Sequence, residues 1–137
     1  MTVLTMSSIF AESADRLPKE AKVKLPKAYR LLTDNPRHPS LQLKKIEGAA
    51  RKNIYECRLD QFWRIILQEV SEMTFDLIYV GAHDEAINYG ARLREPVAHY
   101  GMSGAIEERL ESYLAGNDEA IEFVTVTSGD LERLASG

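Results

Sequence analysis

The sequence predicts an α+β domain in which helices come first and antiparallel strands follow. Apolar residues recur at helical spacing through residues 11–32. After residue 40, four runs rich in β-branched and aromatic residues follow one another, separated by short polar connections. A last helical stretch begins near Asp84. Because helices are followed by strands joined by hairpin-length connections, the pattern indicates helices packed on an antiparallel sheet.

The first third of the chain predicts a helical hairpin. Residues 1–10 mix β-branched and polar residues, which is typical of a short first strand or an extended lead-in. Within residues 11–32, Pro18 is expected to open a helix or to separate two helices, and Pro26 is expected to kink the second one. Residues 34–40 contain two X-Pro steps, which end the helical pattern.

The middle of the chain predicts a four-stranded antiparallel sheet with strands at 41–47, 54–60, 63–70 and 75–82. A short C-terminal helix of the core domain follows at 86–94. Asp84 is expected to cap this helix, because its carboxylate can accept the unpaired N–H groups of the first turn.

The charge of the 137-residue chain is divided unevenly along its length. The net charge is −4, a sign that disfavours nucleic acid as a partner. Residues 1–95 carry 15 Lys and Arg against 13 Asp and Glu, whereas residues 96–137 carry 2 against 8. With Pro96 and a turn-rich stretch at 99–104, this predicts a core domain at 1–95 and an acidic appendage at 96–137, which contains an amphipathic helix. The core domain by itself is mildly basic, and this reopens the nucleic-acid interpretation.

Several kinds of site are disfavoured by the residue inventory. Cys57 is the single cysteine, so neither an intramolecular disulfide nor a cysteine-based zinc site is expected. His38 and His99 have no companions at metal-ligand spacing, so we expect no metal, and no phosphate-loop or dinucleotide motif calls for a cofactor. The lack of a possible disulfide is typical of a cytoplasmic location, which we expect here. No apolar run approaches the roughly 20 residues that span a bilayer, so we expect no membrane partner.

Three residues of the predicted sheet are candidates for chemistry. Arg58 and Arg64 lie near opposite ends of a tight hairpin, which brings them toward one patch of the sheet. Arg64 interrupts an apolar strand, and two interpretations stay open: a salt bridge to Glu56 or Glu69, or a bidentate clamp on a phosphate. His83 lies at a strand-to-helix junction, where an imidazole can act as a general acid and a helix N-terminus favours an anion.

A second group of residues offers a surface for a nucleic acid. Lys44, Lys45, Arg51 and Lys52 surround the Gly48 turn and form either a solvated face or a phosphate-binding one. If the surface binds single-stranded RNA, Tyr55 or Tyr89 is suited to stack on a base.

Four segments, in this order, resemble the RelE/ParE superfamily of bacterial toxins of toxin–antitoxin systems, over roughly residues 10–93. They are Leu17-Pro18, Asn35-Pro36-Arg37-His38-Pro39-Ser40-Leu41, Tyr55-Glu56-Cys57-Arg58 with Trp63-Arg64-Ile65-Ile66, and Tyr79-Val80-Gly81-Ala82-His83-Asp84-Glu85-Ala86. The resemblance implies the small RelE-like fold, in which helices pack on an antiparallel sheet that carries the site.

The resemblance also implies a function and roles for residues. RelE-type toxins are ribosome-dependent mRNA endonucleases that are neutralised by a cognate antitoxin. By similarity, Arg64 stabilises the scissile phosphate, His83 acts as the catalytic cation or general acid, and Arg58 matches a basic position on the neighbouring strand. Tyr89 matches a tyrosine of the last RelE helix. The general base is left open among Lys44, Lys45 and Glu47, and the implied partners are mRNA, the ribosome and an antitoxin.

Two other functions are compatible with the same fold. A ParE-like toxin inhibits DNA gyrase, and His83 disfavours this alternative because inhibition by binding needs no general acid. A non-catalytic binding module is favoured by Tyr55 and Cys57, which stand on the strand where RelE carries lysines. The acidic appendage of residues 96–137 is interpreted as a segment that lowers activity in cis.

Overall fold

The computed structural model describes residues 2–94, 99–101 and 103–115. The chain divides into two compact units, Met1–Ile106 and Glu107–Gly137, and the sheet and the candidate site belong to the first. The elements are, in chain order, β1 (Val3–Ser7), α1 (Ser8–Asp15), α2 (Lys19–Lys22), α3 (Leu25–Asp34), β2 (Lys44–Lys45), β3 (Ile54–Arg58), β4 (Trp63–Ser71), β5 (Thr74–Ala82), α4 (His83–Arg92), β6 (His99–Gly101) and α5 (Ser103–Ala115).

The α+β class is confirmed, but the sheet is larger than predicted and it is mixed. The described strands form one six-stranded sheet in the order β2-β3-β4-β5-β1-β6. Strands β2 to β5 pair antiparallel in sequence order, as hairpin-length connections require. Strand β1 instead lies parallel to β5, with Val3 opposite Thr74, and β6 adds to the outer edge of β1. A four-stranded, wholly antiparallel sheet is therefore wrong.

Helix boundaries differ from the prediction at the prolines and at Asp84. Three helices stand between β1 and β2, because Pro18 caps the four-residue α2 and Pro26 lies in the first turn of α3. Pro26 therefore starts a helix rather than kinking one, since the first turn needs no N–H donor. The predicted cap at Asp84 is wrong: α4 begins at His83, its N-cap residue is Ala82, and no side chain caps it.

Helix α4 packs across β3, β4 and β5 and closes one side of the core. Its Ala86 is buried in a cluster with Ile46, Ile54 and Ile66. Gly90 allows this close approach, because a Cβ atom at that position would lie 3.0 Å from Ile46 Cδ1 and 3.1 Å from Ile66 Cγ2. The position and tilt of α4 therefore depend on a residue without a side chain, and α4 in turn places His83 at the end of β5.

The C-terminal part of the chain is described only in pieces. Strand β6 lies beyond the predicted domain boundary at residue 96, which stays a prediction. The helix predicted in the acidic appendage corresponds to α5, and residues 116–137 lie outside the described part of the chain. Within residues 2–94, 99–101 and 103–115, no helix is both long and apolar enough to cross a membrane.

Candidate functional site

The strand register brings Arg58, Arg64 and the end of β5 together. Arg58 and Arg64 are directly opposite each other on β3 and β4, and Arg64 is opposite Gly81 on β5. Side chains of directly opposite residues leave the same face of a sheet, with Cβ atoms about 5 Å apart. His83 follows two residues after Gly81, just past the end of β5, where its backbone meets the turn between β3 and β4.

The side chain of Arg64 is buried and already has partners within the protein. The residue is 7% exposed. Its Nη1 donates to the carbonyl oxygens of Asp60 at 2.8 Å and Trp63 at 3.2 Å, and its Nε lies 3.6 Å from Glu56 Oε1. The ion pair predicted with Glu56 is present in the structure. The guanidinium also ties β4 to the turn that precedes it.

The turn between β3 and β4, residues 60–63, is held from its other side by Asp60. The Asp60 carboxylate accepts hydrogen bonds from the backbone N–H of Phe62 at 2.8 Å and of Trp63 at 3.0 Å. It also pairs with Lys24 Nζ at 2.7 Å. Burial alone raises the pKa of Asp60, but the Lys24 ammonium and the two N–H donors outweigh it and lower that pKa. Asp60 therefore stays ionised and holds the backbone of the turn through these hydrogen bonds.

His83 is exposed at the first position of α4, next to this turn. Its backbone N–H donates to the carbonyl of Phe62 at 2.9 Å. Its side chain is 51% exposed, and Nδ1 lies 2.8 Å from Asp84 Oδ1. If Nδ1 carries the proton shared with Asp84, Nε2 faces outward and can exchange a proton with a ligand. Among the described residues, no group of three or more His, Cys, Asp or Glu side chains is arranged to hold a metal ion.

The two tyrosines predicted to stack on bases both pack against aromatic rings of the protein. Tyr89 is stacked on Tyr79, with ring centroids 4.4 Å apart and planes 10° from parallel. Tyr55 meets Phe75 edge to face at 6.1 Å. The Tyr79 hydroxyl donates to Glu85 Oε2 at 2.5 Å. Burial, reinforced by Glu85, raises the pKa of Tyr79 to about 12, and burial also raises the pKa of Tyr89, so both phenols stay neutral.

The predicted basic residues do not form one surface. Lys44 is opposite Glu56 and Lys45 is opposite Tyr55, so their side chains leave opposite faces of the sheet. Lys44 shares the face of Arg58 and Arg64, but β2 lies three strands from β5, a distance of about 14 Å. Arg51 and Lys52 belong to the loop before Ile54, at the opposite end of β3 from Arg58. Of the four predicted basic residues, Lys44 is the one that the strand pairing places on the same face of the sheet as Arg58 and Arg64.

A basic groove that sequence reasoning missed lies next to the turn at residues 60–63. It is a cavity of about 370 Å³ between the α3 region and the end of β3. Its charged lining residues are Lys24, Lys27, Arg58 and Asp60, and its floor is apolar. Lys24 and Lys27 lie one helical turn apart, which is a signal that the sequence contains. What the sequence does not contain is the packing of that turn beside Arg58.

No family model matches the sequence, and no curated protein matches it by sequence. Solved structures do match the fold. YafQ from E. coli strain BL21(DE3) aligns with a TM-score of 0.51 and 15% identity, over 62% of this chain and 97% of YafQ. The toxin–antitoxin complex DinJ-YafQ of E. coli aligns with a TM-score of 0.51 and 15% identity, over 61% of this chain and 94% of the matched one. The RelB-RelE antitoxin-toxin complex from Methanococcus jannaschii aligns with a TM-score of 0.50 and 19% identity, over 62% and 96%.

At these identities the likeness concerns the fold. The resemblance to RelE-like toxins seen in the sequence is confirmed at that level. The matched chains are covered almost completely, whereas more than a third of this chain lies outside the alignment.

Proposed function

We propose that the chain is the toxin of a toxin–antitoxin pair and that it cleaves mRNA. The observation that carries the proposal is the position of His83: a half-exposed imidazole at the N-terminus of α4, on a residue whose backbone N–H binds the turn that Arg64 also holds. A phosphate bound there meets cationic side chains, the N–H groups of a helix N-terminus and a proton donor. The RelE-like fold and the antitoxin complexes formed by its neighbours support the choice of class.

In the proposed reaction, the 2′-hydroxyl of one nucleotide attacks the adjacent phosphorus and forms a cyclic 2′,3′-phosphate. The P–O5′ bond breaks, and the leaving 5′-oxygen takes a proton from His83. Arg58, which is exposed on β3, neutralises charge on the phosphate. The base that takes the proton of the 2′-hydroxyl stays open among Lys44, Lys45 and Glu47, and Lys44, although it lies on the same face as Arg58, is about 14 Å from β5. Arg64 contributes indirectly, because its guanidinium holds the turn at residues 60–63.

The competing function is a non-catalytic binding module on the same fold. The burial of Arg64 favours it, because a guanidinium that donates to three carbonyl groups and pairs with Glu56 has little left to offer a substrate. The two proposals differ in what they require of His83: a nuclease needs its proton, and a binding module does not.

The test is a comparison of His83→Ala with His38→Ala in the full-length chain. His38 is a matched control because its imidazole also has a local partner, with Nδ1 2.8 Å from Ser40 Oγ, and it lies in the loop before β2. Each variant is induced in a bacterial host, and the 5′ ends of cellular mRNA are mapped. Loss of a general acid is expected to reduce cleavage by roughly 100- to 10,000-fold in His83→Ala, and His38→Ala is expected to cut like the wild type.

Three other outcomes are informative. Equal cleavage by wild type and His83→Ala contradicts a catalytic role for the imidazole. Growth arrest with a DNA-damage response and intact mRNA indicates gyrase as the target. Absence of both arrest and cleavage in cells that contain folded protein favours the binding module.

A further inference from the structure

Phe62 is an exposed aromatic side chain beside the candidate site, and sequence analysis assigned it no role. Among the described residues, Phe62 has the largest exposed fraction of the exposed large hydrophobic residues, 68%, and it is the aromatic one among them. Apolar side chains can stand singly on a surface without a function. Phe62 differs from such cases in how firmly its backbone is held and in what surrounds it.

The turn that carries Phe62 is held by hydrogen bonds on both sides. The Asp60 carboxylate binds the N–H groups of residues 62 and 63, and Lys24 binds that carboxylate in turn. From the other side, Arg64 Nη1 donates to the carbonyl groups of Asp60, Gln61 and Trp63. A side chain presented from a backbone that is already ordered loses less entropy on binding than one on a loose loop.

The surroundings of Phe62 are those of a polyanion site. The Phe62 carbonyl accepts the backbone N–H of His83, so the phenyl ring projects from the residue that is hydrogen-bonded to the proposed acid. On the other flank, Asp60 borders the groove that Lys24, Lys27 and Arg58 line. Basic side chains alternating with an exposed ring are the combination that binds single-stranded nucleic acids, with phosphates on the cations and a base on the ring.

We propose that Phe62 is a stacking platform for an unpaired RNA base next to the phosphate that His83 acts on. The proposal rests on the function proposed above and adds a second contact to it. Because every base has a flat π face, the platform selects for an unpaired base rather than for one sequence. Asp60 and Arg64 are positioning residues, since they act on the substrate only through the turn that presents Phe62.

A protein partner is the alternative occupant, because a phenylalanine can also anchor in an apolar pocket of another protein. The charges favour RNA: Lys24 and Asp60 pair with each other, and the other two charged residues that line the adjoining groove, Lys27 and Arg58, are both cationic. These positive charges raise the affinity for a polyanion such as RNA, whatever its base sequence.

The test measures RNA affinity in the full chain with variants at Phe62. The probe is a fluorescein-labelled single strand of about eight nucleotides of 2′-O-methyl RNA, in which the blocked hydroxyl prevents cleavage, and binding is followed by fluorescence anisotropy. Phe62→Ala is expected to weaken binding by roughly 5- to 150-fold, the range measured for loss of a base–aromatic stack. Phe62→Trp is expected to restore it. Val70→Ala is the matched control, because Val70 is 52% exposed near the far end of β4.

Two further readouts separate stacking from a general structural effect. Replacing one base of the probe at a time by an abasic sugar is expected to weaken wild-type binding at one position and to leave Phe62→Ala unchanged there. The dependence of affinity on salt is expected to have the same slope in both proteins, because the phosphate contacts are retained.

The outcomes distinguish this proposal from the function on which it rests. Equal RNA affinity of wild type and Phe62→Ala, with His83-dependent cleavage intact, overturns the platform and leaves the nuclease standing. Phe62-dependent binding without any cleavage supports the platform and contradicts the nuclease. No measurable RNA binding by wild type overturns the platform, and if Phe62→Ala then escapes neutralisation by the antitoxin, the side chain belongs to a protein interface.

Discussion

Replacing Arg64 by alanine tests whether this arginine is a structural residue or a substrate-binding one. Its side chain is buried in the β3–β4 hairpin, where it donates to carbonyl groups of the turn and pairs with Glu56. If these contacts account for its presence in an apolar strand, the substitution lowers the free energy of unfolding. If instead the guanidinium serves a phosphate, removal costs activity and little stability.

The magnitude follows from the groups that lose their partner. Breaking a buried ion pair by removing one member costs about 3–5 kcal/mol, and a hydrogen bond to a charged group is worth about 1.5–3 kcal/mol. The Arg64–Glu56 contact is long at 3.6 Å and the Glu56 side chain is 17% exposed, so water relieves part of the loss. The carbonyl groups of Asp60 and Trp63 lose a donor as well. We expect Arg64→Ala to lower the free energy of unfolding by about 3 kcal/mol.

Urea unfolding of a double-mutant cycle measures this value. The cycle comprises wild type, Arg64→Ala, Glu56→Gln and the double variant, and we expect a coupling energy of about 1–2 kcal/mol. Arg64→Lys keeps the charge but not the forked donors, so it is expected to recover only part of the loss. Arg58→Ala is the control, because Arg58 is directly opposite on β3 and exposed, and it is expected to change stability by no more than about 0.5 kcal/mol.

One result refutes this reasoning. If Arg64→Ala unfolds within about 1 kcal/mol of wild type and yet abolishes RNA cleavage, the guanidinium must leave its carbonyl partners to meet the substrate. Arg64 would then be a catalytic residue, as the resemblance to RelE implies.

Three further predictions concern the scaffold of the site. Gly81→Ala places a Cβ atom 2.9 Å from Cε2 of Tyr79, whose ring is held by stacking and by a hydrogen bond. The substitution is expected to lower the free energy of unfolding in urea by about 1–3 kcal/mol. An unchanged urea midpoint would show that the Tyr79 ring moves freely. Ser7→Ala removes the buried hydroxyl that caps α1 and donates to the Ile78 carbonyl at 3.0 Å. We expect it to lower the free energy of unfolding in urea by about 1–2 kcal/mol. Ser7→Thr is the control variant, because it retains the hydroxyl. Burial raises the pKa of Cys57 from 9.0 to about 12. Above pH 9 the folded chain therefore keeps a thiol proton that the unfolded chain releases. The free energy of unfolding is then expected to fall with rising pH, by up to about 1.4 kcal/mol per pH unit. Cys57→Ala is expected to give a flatter pH profile, and an identical slope would contradict the shift.

Much of the β-structure can be read from the sequence because its signals are local. Strands β3, β4 and β5 carry β-branched and aromatic residues at close spacing, and their hairpin connections leave an antiparallel arrangement as the natural one. The convergence of Arg58 and Arg64 was predictable from the same short hairpin, and the strand register makes them directly opposite. The pairing of β1 with β5 could not be read in this way, because Val3 and Thr74 lie 71 positions apart and no turn links them.

In the candidate site, too, features set by local sequence could be predicted and features set by packing could not. The position of His83 at a strand-to-helix junction was predictable, since the pattern changes from strand to helix at that residue. Asp84 looked like the cap because its residue type favours that role, but the strand ends one residue before His83 and the helix begins there. Tyr55 and Tyr89 looked available for stacking because a sequence does not show which rings already have an aromatic neighbour.

By itself, the sequence determined the α+β class, the three central strands, the convergence of Arg58 and Arg64 on one hairpin and the place of His83. Each of these depends on residues close together in the chain, where periodicity and turn length control the backbone. Only the tertiary structure decided that Arg64 is buried, that Phe62 is exposed and that Lys24 and Lys27 lie beside Arg58. The physical reason is that Asp60 binds Lys24, 36 residues away, and so the conformation of the turn depends on packing between elements that no local pattern encodes.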